Sequence, residues 1–238
     1  MFEGNAEQRL RHTRLVWDFP VRVAHWLLVI SIAGCYVTSR FTYEFTWHKY
    51  CGYAVLVLAT FRSIWGLLGT RHARFSHFVV GPKQVWHYLS TMWVKTNTQI
   101  SVGHNPLGGW SIVAMLVLMI AQAGTGLFAN DEIANVGPLY GWVADPVSTG
   151  FTSAHHIIFK GIAALVALHI VAIAFYGCVL KTNLLTPMVT GRKPAQWVPE
   201  SQAIGNSRTW LAILIILILV SILAAIVTSA PRASLSIF

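Results

Sequence analysis

Charge is what this 238-residue chain has least of: Asp, Glu, Lys and Arg make up 11% of it, against 55% hydrophobic residues. Ordinary soluble domains carry roughly a quarter charged residues, so a soluble globular protein is excluded. Carboxylates are scarcer still, eight in all, and none falls inside a long apolar run. That argues against a proton-translocating path built on buried acids. Cysteine is confined to Cys35, Cys51 and Cys178, all inside apolar runs, so structural disulfides are not expected. The first apolar run lacks an A-x-A cleavage site and is too long for a signal h-region, which makes it an uncleaved span.

What is present is hydrocarbon of membrane-spanning length. Val21–Ser39, Gly108–Ala129, Ser153–Val179 and Trp210–Ala230 each suffice to cross a bilayer, and His48–Leu68 is a fifth span with Arg62 snorkelling near its end. The net charge of +9 is a topology signal, with no nucleic acid implied. Arg9, Arg11, Arg14 and Arg22 precede or open the first span; Arg71, Arg74, Lys83 and Lys95 follow the second; Lys181, Arg192, Lys193 and Arg208 follow the fourth. The opposite connections hold Arg40 and Lys49 against Glu44, Asp131, Glu132 and Asp145. By the positive-inside rule the N-terminus is cytoplasmic and the C-terminus outside.

The predicted fold is all-α: an integral membrane helical bundle with a four-helix core and a fifth, C-terminal transmembrane helix. Residues 1–20 form a cytoplasmic arm, polar and mobile through Arg14, 21–180 the four-helix domain with a cytoplasmic loop at 69–107, 181–208 a cytoplasmic linker, and 209–238 the last helix. Asp18 and Pro20 suit a helix start. Phe41, Tyr43, Phe45 and Trp47 form an outer aromatic belt. Lys83–Lys95, with Val85, Trp86, Leu89, Met92 and Trp93, reads as a flat interfacial helix. Asn130–Gly150, with Pro138 and Pro146, reads as a solvated outer loop or a docking surface. The third span reads as a packing wall and the fifth as an anchor.

Histidine carries the chemistry. His155 and His169 lie fourteen residues apart in one span, a rise of ~21 Å and close to four turns, so both rings leave nearly the same helix face. His25 sits near the inner end of the first span and His48 at the outer end of the second. Depth therefore sorts four histidines into an outer pair, His48 and His155, and an inner pair, His25 and His169. Two facing pairs separated by apolar surface are what bis-imidazole ligation of two b-type haems requires. With no C-x-x-C-H present, such haem is non-covalent. A single histidine of this kind is more often an interhelical hydrogen-bonding group, and zinc or copper would gather three or four ligands. His156, about 100° from His155 around the helix, stays open as a ligand or propionate partner. Arg62 is either a propionate anchor or a topology anchor. Gly52, Gly161, Gly124 and Gly126 allow close approach of a macrocycle or helix. His72, His77 and His87 read as surface or interface histidines. His104 lines an inner pocket or bonds local backbone, and Asn105 with Pro106 explains the turn before the third span.

These features resemble the bacterial cytochrome b561 superfamily, and in particular the di-haem cytochrome b subunits of membrane-bound nickel-iron hydrogenases. The resemblance rests on F-P-V-R-V-A-H-W around His25, H-x13-R from His48 to Arg62, W-G-L-L-G-T-R-H-A-R-F at Trp65–Phe75, G-H-N-P-L at Gly103, H-x13-H in the fourth span and K-T-N-L-L after it. It implies the same two histidine couples, a bacterial inner-membrane location, a periplasmic redox partner and a quinone site near the inner haem, with Arg22, His104 and Asn105 as its candidates. The partner is a c-type cytochrome, a dehydrogenase or a hydrogenase subunit, within an oligomer or larger complex. Two other readings remain: a stand-alone superoxide:quinone oxidoreductase, with Lys49 and Arg40 attracting the anion, and a membrane anchor subunit. A hydrogenase cytochrome of this kind usually ends soon after its fourth span, so the fifth span is a departure.

Overall fold

The computed structural model describes residues 13–41, 45–91, 102–132 and 135–231. In chain order the elements are β1 (Thr13–Leu15), α1 (Phe19–Phe41), α2 (Thr46–Leu68), α3 (Pro82–Thr91), α4 (Pro106–Leu127), α5 (Asp145–Cys178), α6 (Leu185–Thr190), β2 (Arg192–Pro194) and α7 (Thr209–Ser229), with short 3-10 turns between. Five of these, α1, α2, α4, α5 and α7, are long and apolar enough to cross a membrane. Side chains such as Ile30 (66% exposed), Leu67 (70%) and Val117 (60%) point outward, as helices that meet lipid require. The fold is an all-α membrane bundle.

The chain forms two compact units. One comprises residues 1–23, 63–114 and 168–212. Its centre is Val16, Trp17 and Val198, with Val102 packed against them. Asp18 caps α1, its Oδ1 accepting the Val21 amide at 2.8 Å. Its Oδ2 accepts from the Trp65 indole at 3.1 Å and from the Thr70 hydroxyl, all within a buried site. The cap is local to α1; the two further donors come from the last turn of α2, Trp65, and from just beyond its end, Thr70.

The other unit comprises residues 24–62, 115–167 and 213–238. Its core is drawn from helix faces: Leu28, Val55, Leu58, Phe61, Leu116, Met119 and Ile162 are all buried. The connection after α4 is folded back, with Leu139 and Gly137 donating to the carbonyls of Leu127 and Ala129 at 2.8 and 2.7 Å.

Several expectations need correction. The fourth span starts at Asp145, not Ser153, so Asp145–Gly150 are helical rather than loop; an acid followed by proline is a helix-start pair. Thr13 and Arg14 are not part of a mobile arm. They pair antiparallel with the supposed linker, in the register Thr13↔Pro194, Arg14↔Lys193 and Leu15↔Arg192. Gly191, at φ 80°, makes this possible by turning the chain out of α6, and a Cβ there would lie 2.7 Å from the Trp17 carbonyl. His72 is buried, not at the surface, because its Nε2 reaches the Gln202 carbonyl at 2.8 Å. Arg62 is also buried, which removes the snorkelling reading. Residues Met1–His12, Tyr43, Glu44, Met92, Trp93 and Lys95 lie outside the described residues.

Candidate functional site

Helices α1, α2, α4 and α5 build the outer site within one unit. His48 lies in the first turn of α2, and its ring centre is 6.4 Å from that of His155 on α5, with the two planes inclined at 68°. His48 Nδ1 is 3.0 Å from the Cys35 carbonyl and 3.3 Å from Thr38 Oγ1. His155 Nδ1 is 2.9 Å from the Gln122 carbonyl and 3.2 Å from Thr125 Oγ1. A carbonyl can only accept, so each Nδ1 carries the proton and each Nε2 keeps its lone pair. That is the tautomer a metal ligand needs.

The spacing also suits haem. A ring nitrogen sits ~2 Å from a first-row metal and the imidazole centre about 1 Å beyond it, so axial rings on one iron are roughly 6 Å apart. The backbone beside the pair is open to close approach: a Cβ built on Gly52, one turn after His48, meets nothing within 4 Å, and one on Gly161 would only touch Leu118 at 3.4 Å. Gly126 is tighter, since a Cβ there would lie 3.1 Å from His155 Cε1. Two imidazoles do not by themselves make a zinc or copper site, and no group of three or more His, Cys, Asp or Glu is placed to hold a metal ion among the described residues. The donor set fits haem b.

His156 is exposed and its ring centre is 6.4 Å from that of His155. Arg62 belongs to the same unit as His48 and His155, as does His25, which packs edge-on against Trp26 at 5.1 Å. His169 falls in the other unit; it is half-buried while its neighbours Leu168 and Ile170 are 59% and 60% exposed. Arg40 is exposed over the Tyr36 ring, and Lys49 is half-buried.

The first unit holds a polar cleft of about 260 Å³ whose lining includes Arg71, His72, His77, Phe78, His104 and Gln202. His104 packs between Trp17 and Phe78, ring centres 4.5 and 4.7 Å away and planes inclined at 51° and 57°. Burial, together with the positive neighbours Arg71, His77 and Lys193, lowers the His72 pKa despite its bond to Gln202. Of the three quinone candidates the structure brings only His104 to this cleft. Asn105 caps α4 through the Gly108 amide at 2.6 Å and gives its NH2 to Tyr176 at 2.6 Å. Arg22 donates to the Val189 carbonyl at 2.5 Å.

The sequence reading missed Thr38, Thr125 and the carbonyls of Cys35 and Gln122. The third span is therefore more than a wall. The available signal was a threonine in each of two apolar helices, at positions where an aliphatic residue would satisfy lipid equally well.

A family model described as prokaryotic cytochrome b561 matches residues 16–191. The probable Ni/Fe-hydrogenase B-type cytochrome subunit of Bradyrhizobium diazoefficiens is 24% identical over 214 residues, covering 77% of this chain and 87% of that protein. Proteins of the same description from Azotobacter vinelandii and Rhodobacter capsulatus are 23% and 25% identical, covering 79% and 78% of this chain and 92% and 83% of their own. No solved structure matches.

Proposed function

Because this chain belongs to the prokaryotic cytochrome b561 family, and is therefore a multi-pass b-type cytochrome of membrane electron transfer, we propose that it carries two bis-histidine haems and links an extracytoplasmic redox partner to the quinone pool. The observation that carries this reading is the His48–His155 pair, with its 6.4 Å separation and both Nδ1 atoms committed to backbone carbonyls. The second couple, His25 with His169, rests on sequence depth and on the fourteen-residue spacing from His155. Bound haem supplies a one-electron couple. The protein holds its axial ligands, excludes water with apolar helix faces and sets the charge around it.

Arg62, a buried cation in the same unit as the outer pair, is assigned to a haem propionate. The cleft around His104 is assigned to a quinone head group, whose two carbonyl oxygens need N–H donors such as Arg71 and His77 offer. The relatives are named as hydrogenase subunits, which favours a hydrogenase over a c-type cytochrome or another dehydrogenase as partner. By the positive-inside rule the basic connections, 1–20, 69–107 and 181–208, are assigned to the cytoplasmic side, in a bacterial inner membrane as the family resemblance implies.

The test is anaerobic spectroscopy of the purified protein. A soluble quinol analogue is expected to reduce haem with no partner present, and His104→Leu should slow this at least tenfold without loss of haem. Haem that superoxide reduces with no partner present, and that passes those electrons on to quinone, would instead make the chain a stand-alone oxidoreductase.

A further inference from the structure

We propose that Thr38 and Thr125 are positioning residues of the outer iron site, each fixing its histidine's ring plane and electron donation through Nδ1–H. The inference rests on His48 and His155 being the outer axial pair. Two helices with no sequence likeness, α1 and α4, present the same arrangement. A carbonyl at one position and a threonine hydroxyl three residues later both approach the Nδ1 of a histidine on another helix. The atoms are Cys35 O and Thr38 Oγ1 for His48, at 3.0 and 3.3 Å, and Gln122 O and Thr125 Oγ1 for His155, at 2.9 and 3.2 Å.

The proton bookkeeping gives each hydroxyl a defined role. Thr38 donates to the Gly34 and Cys35 carbonyls at 2.7 and 3.2 Å, and Thr125 donates to the Gln122 carbonyl at 2.9 Å. With its own proton spent, each Oγ1 offers a lone pair, so the Nδ1–H is shared between two acceptors. Bonding to a carbonyl of the preceding turn is ordinary for threonine in a spanning helix. It does not require an imidazole at the hydroxyl, and here there is one in both places.

Two consequences follow. A ring held by one acceptor can pivot about that bond, whereas a ring held by two cannot, and the 68° between the planes is then a built feature. Gly126 supports this on the α4 side, where even a Cβ would come within 3.1 Å of His155 Cε1. The second consequence is electronic. Hydrogen bonding at Nδ1 raises the basicity of Nε2, favours ferric over ferrous iron and lowers the potential.

The experiment compares Thr38→Val, Thr125→Val and the matching serine variants by haem content, redox titration and electron paramagnetic resonance. Strongly inclined axial imidazoles leave the iron dπ orbitals nearly degenerate and give a strongly anisotropic low-spin ferric signal. The valine variants should keep their haem, shift the midpoint of one haem upward and narrow that signal; the serine variants should behave as wild type. Loss of haem in a valine variant, with normal haem and potential in its serine counterpart, also supports the hydroxyl's role. Unchanged potentials and signals in valine variants, or equal effects of valine and serine, would overturn it. Failure of the axial assignment shows separately, as retention of both haems in His48→Leu and His155→Leu.

Discussion

At the scale of single residues, the buried polar groups are where the fold is most sensitive. Asp18 is 1% exposed and accepts from the Val21 amide, the Trp65 indole and the Thr70 hydroxyl. Replacing it with asparagine turns one of the two accepting oxygens into an NH2 that faces at least one donor whichever way the amide turns. The expected cost is ~1–3 kcal/mol, read as a lower melting temperature in detergent, whereas Asp18→Asn with an unchanged melt would remove the network's importance. His72 makes stability depend on pH. Its folded pKa is lowered, by burial first and by Arg71, His77 and Lys193 as well, with the Gln202 bond opposing. Below the unfolded value of about 6.5 the unfolded chain binds a proton that the folded chain does not, so stability falls as pH drops through that range. Hydrogen-exchange protection factors of residues 200–204, corrected for the intrinsic rate at each pH, should fall between pH 7.5 and 5.5, and His72→Gln should abolish the difference.

At the scale of elements, apolar length and capping residues made the five spans legible, because a bilayer imposes both on any spanning helix. Asp18 before α1 and Asn105 before α4 were readable as starts for the same reason. The early start of α5 was written in Asp145 and Pro146, and was obscured by reading proline and acid as loop composition. The pairing of β1 with β2 was not legible: Arg14 and Lys193 are 179 positions apart, and nothing local in either tripeptide names the other. The same holds at the outer site. The histidines announce themselves as polar groups in hydrocarbon, but Thr38 and Thr125 gain meaning only once neighbouring helices bring an Nδ1 to them. Close helix contacts are equally silent in sequence. A Cβ on Gly66 would fall within the Phe75 ring, so Gly66→Ala should destabilise the α2 C-terminal end by roughly 1–3 kcal/mol. Pairing it with Phe75→Leu should recover most of the loss in a thermal melt.

At the scale of the whole molecule, the asymmetry of Lys and Arg is what supports the proposed orientation. Fusion of a cytoplasm-active reporter at residue 200 and of a periplasm-active one after Phe238 should both give signal, and the reverse pair neither. The fifth helix, α7, is proposed as an appendage to the haem-binding domain, so a chain ending at Ser207 should retain its haem even if a partner no longer assembles with it. The central claim, that two imidazole couples hold two irons, is tested most directly by counting haem per chain in the wild type and in His48→Leu, His155→Leu and His156→Leu. The account predicts two haems in the wild type, loss of the same one in each of the first two variants, and two in the third. A wild type with fewer than two, or a His156→Leu variant that loses haem while His155→Leu keeps it, would contradict the account.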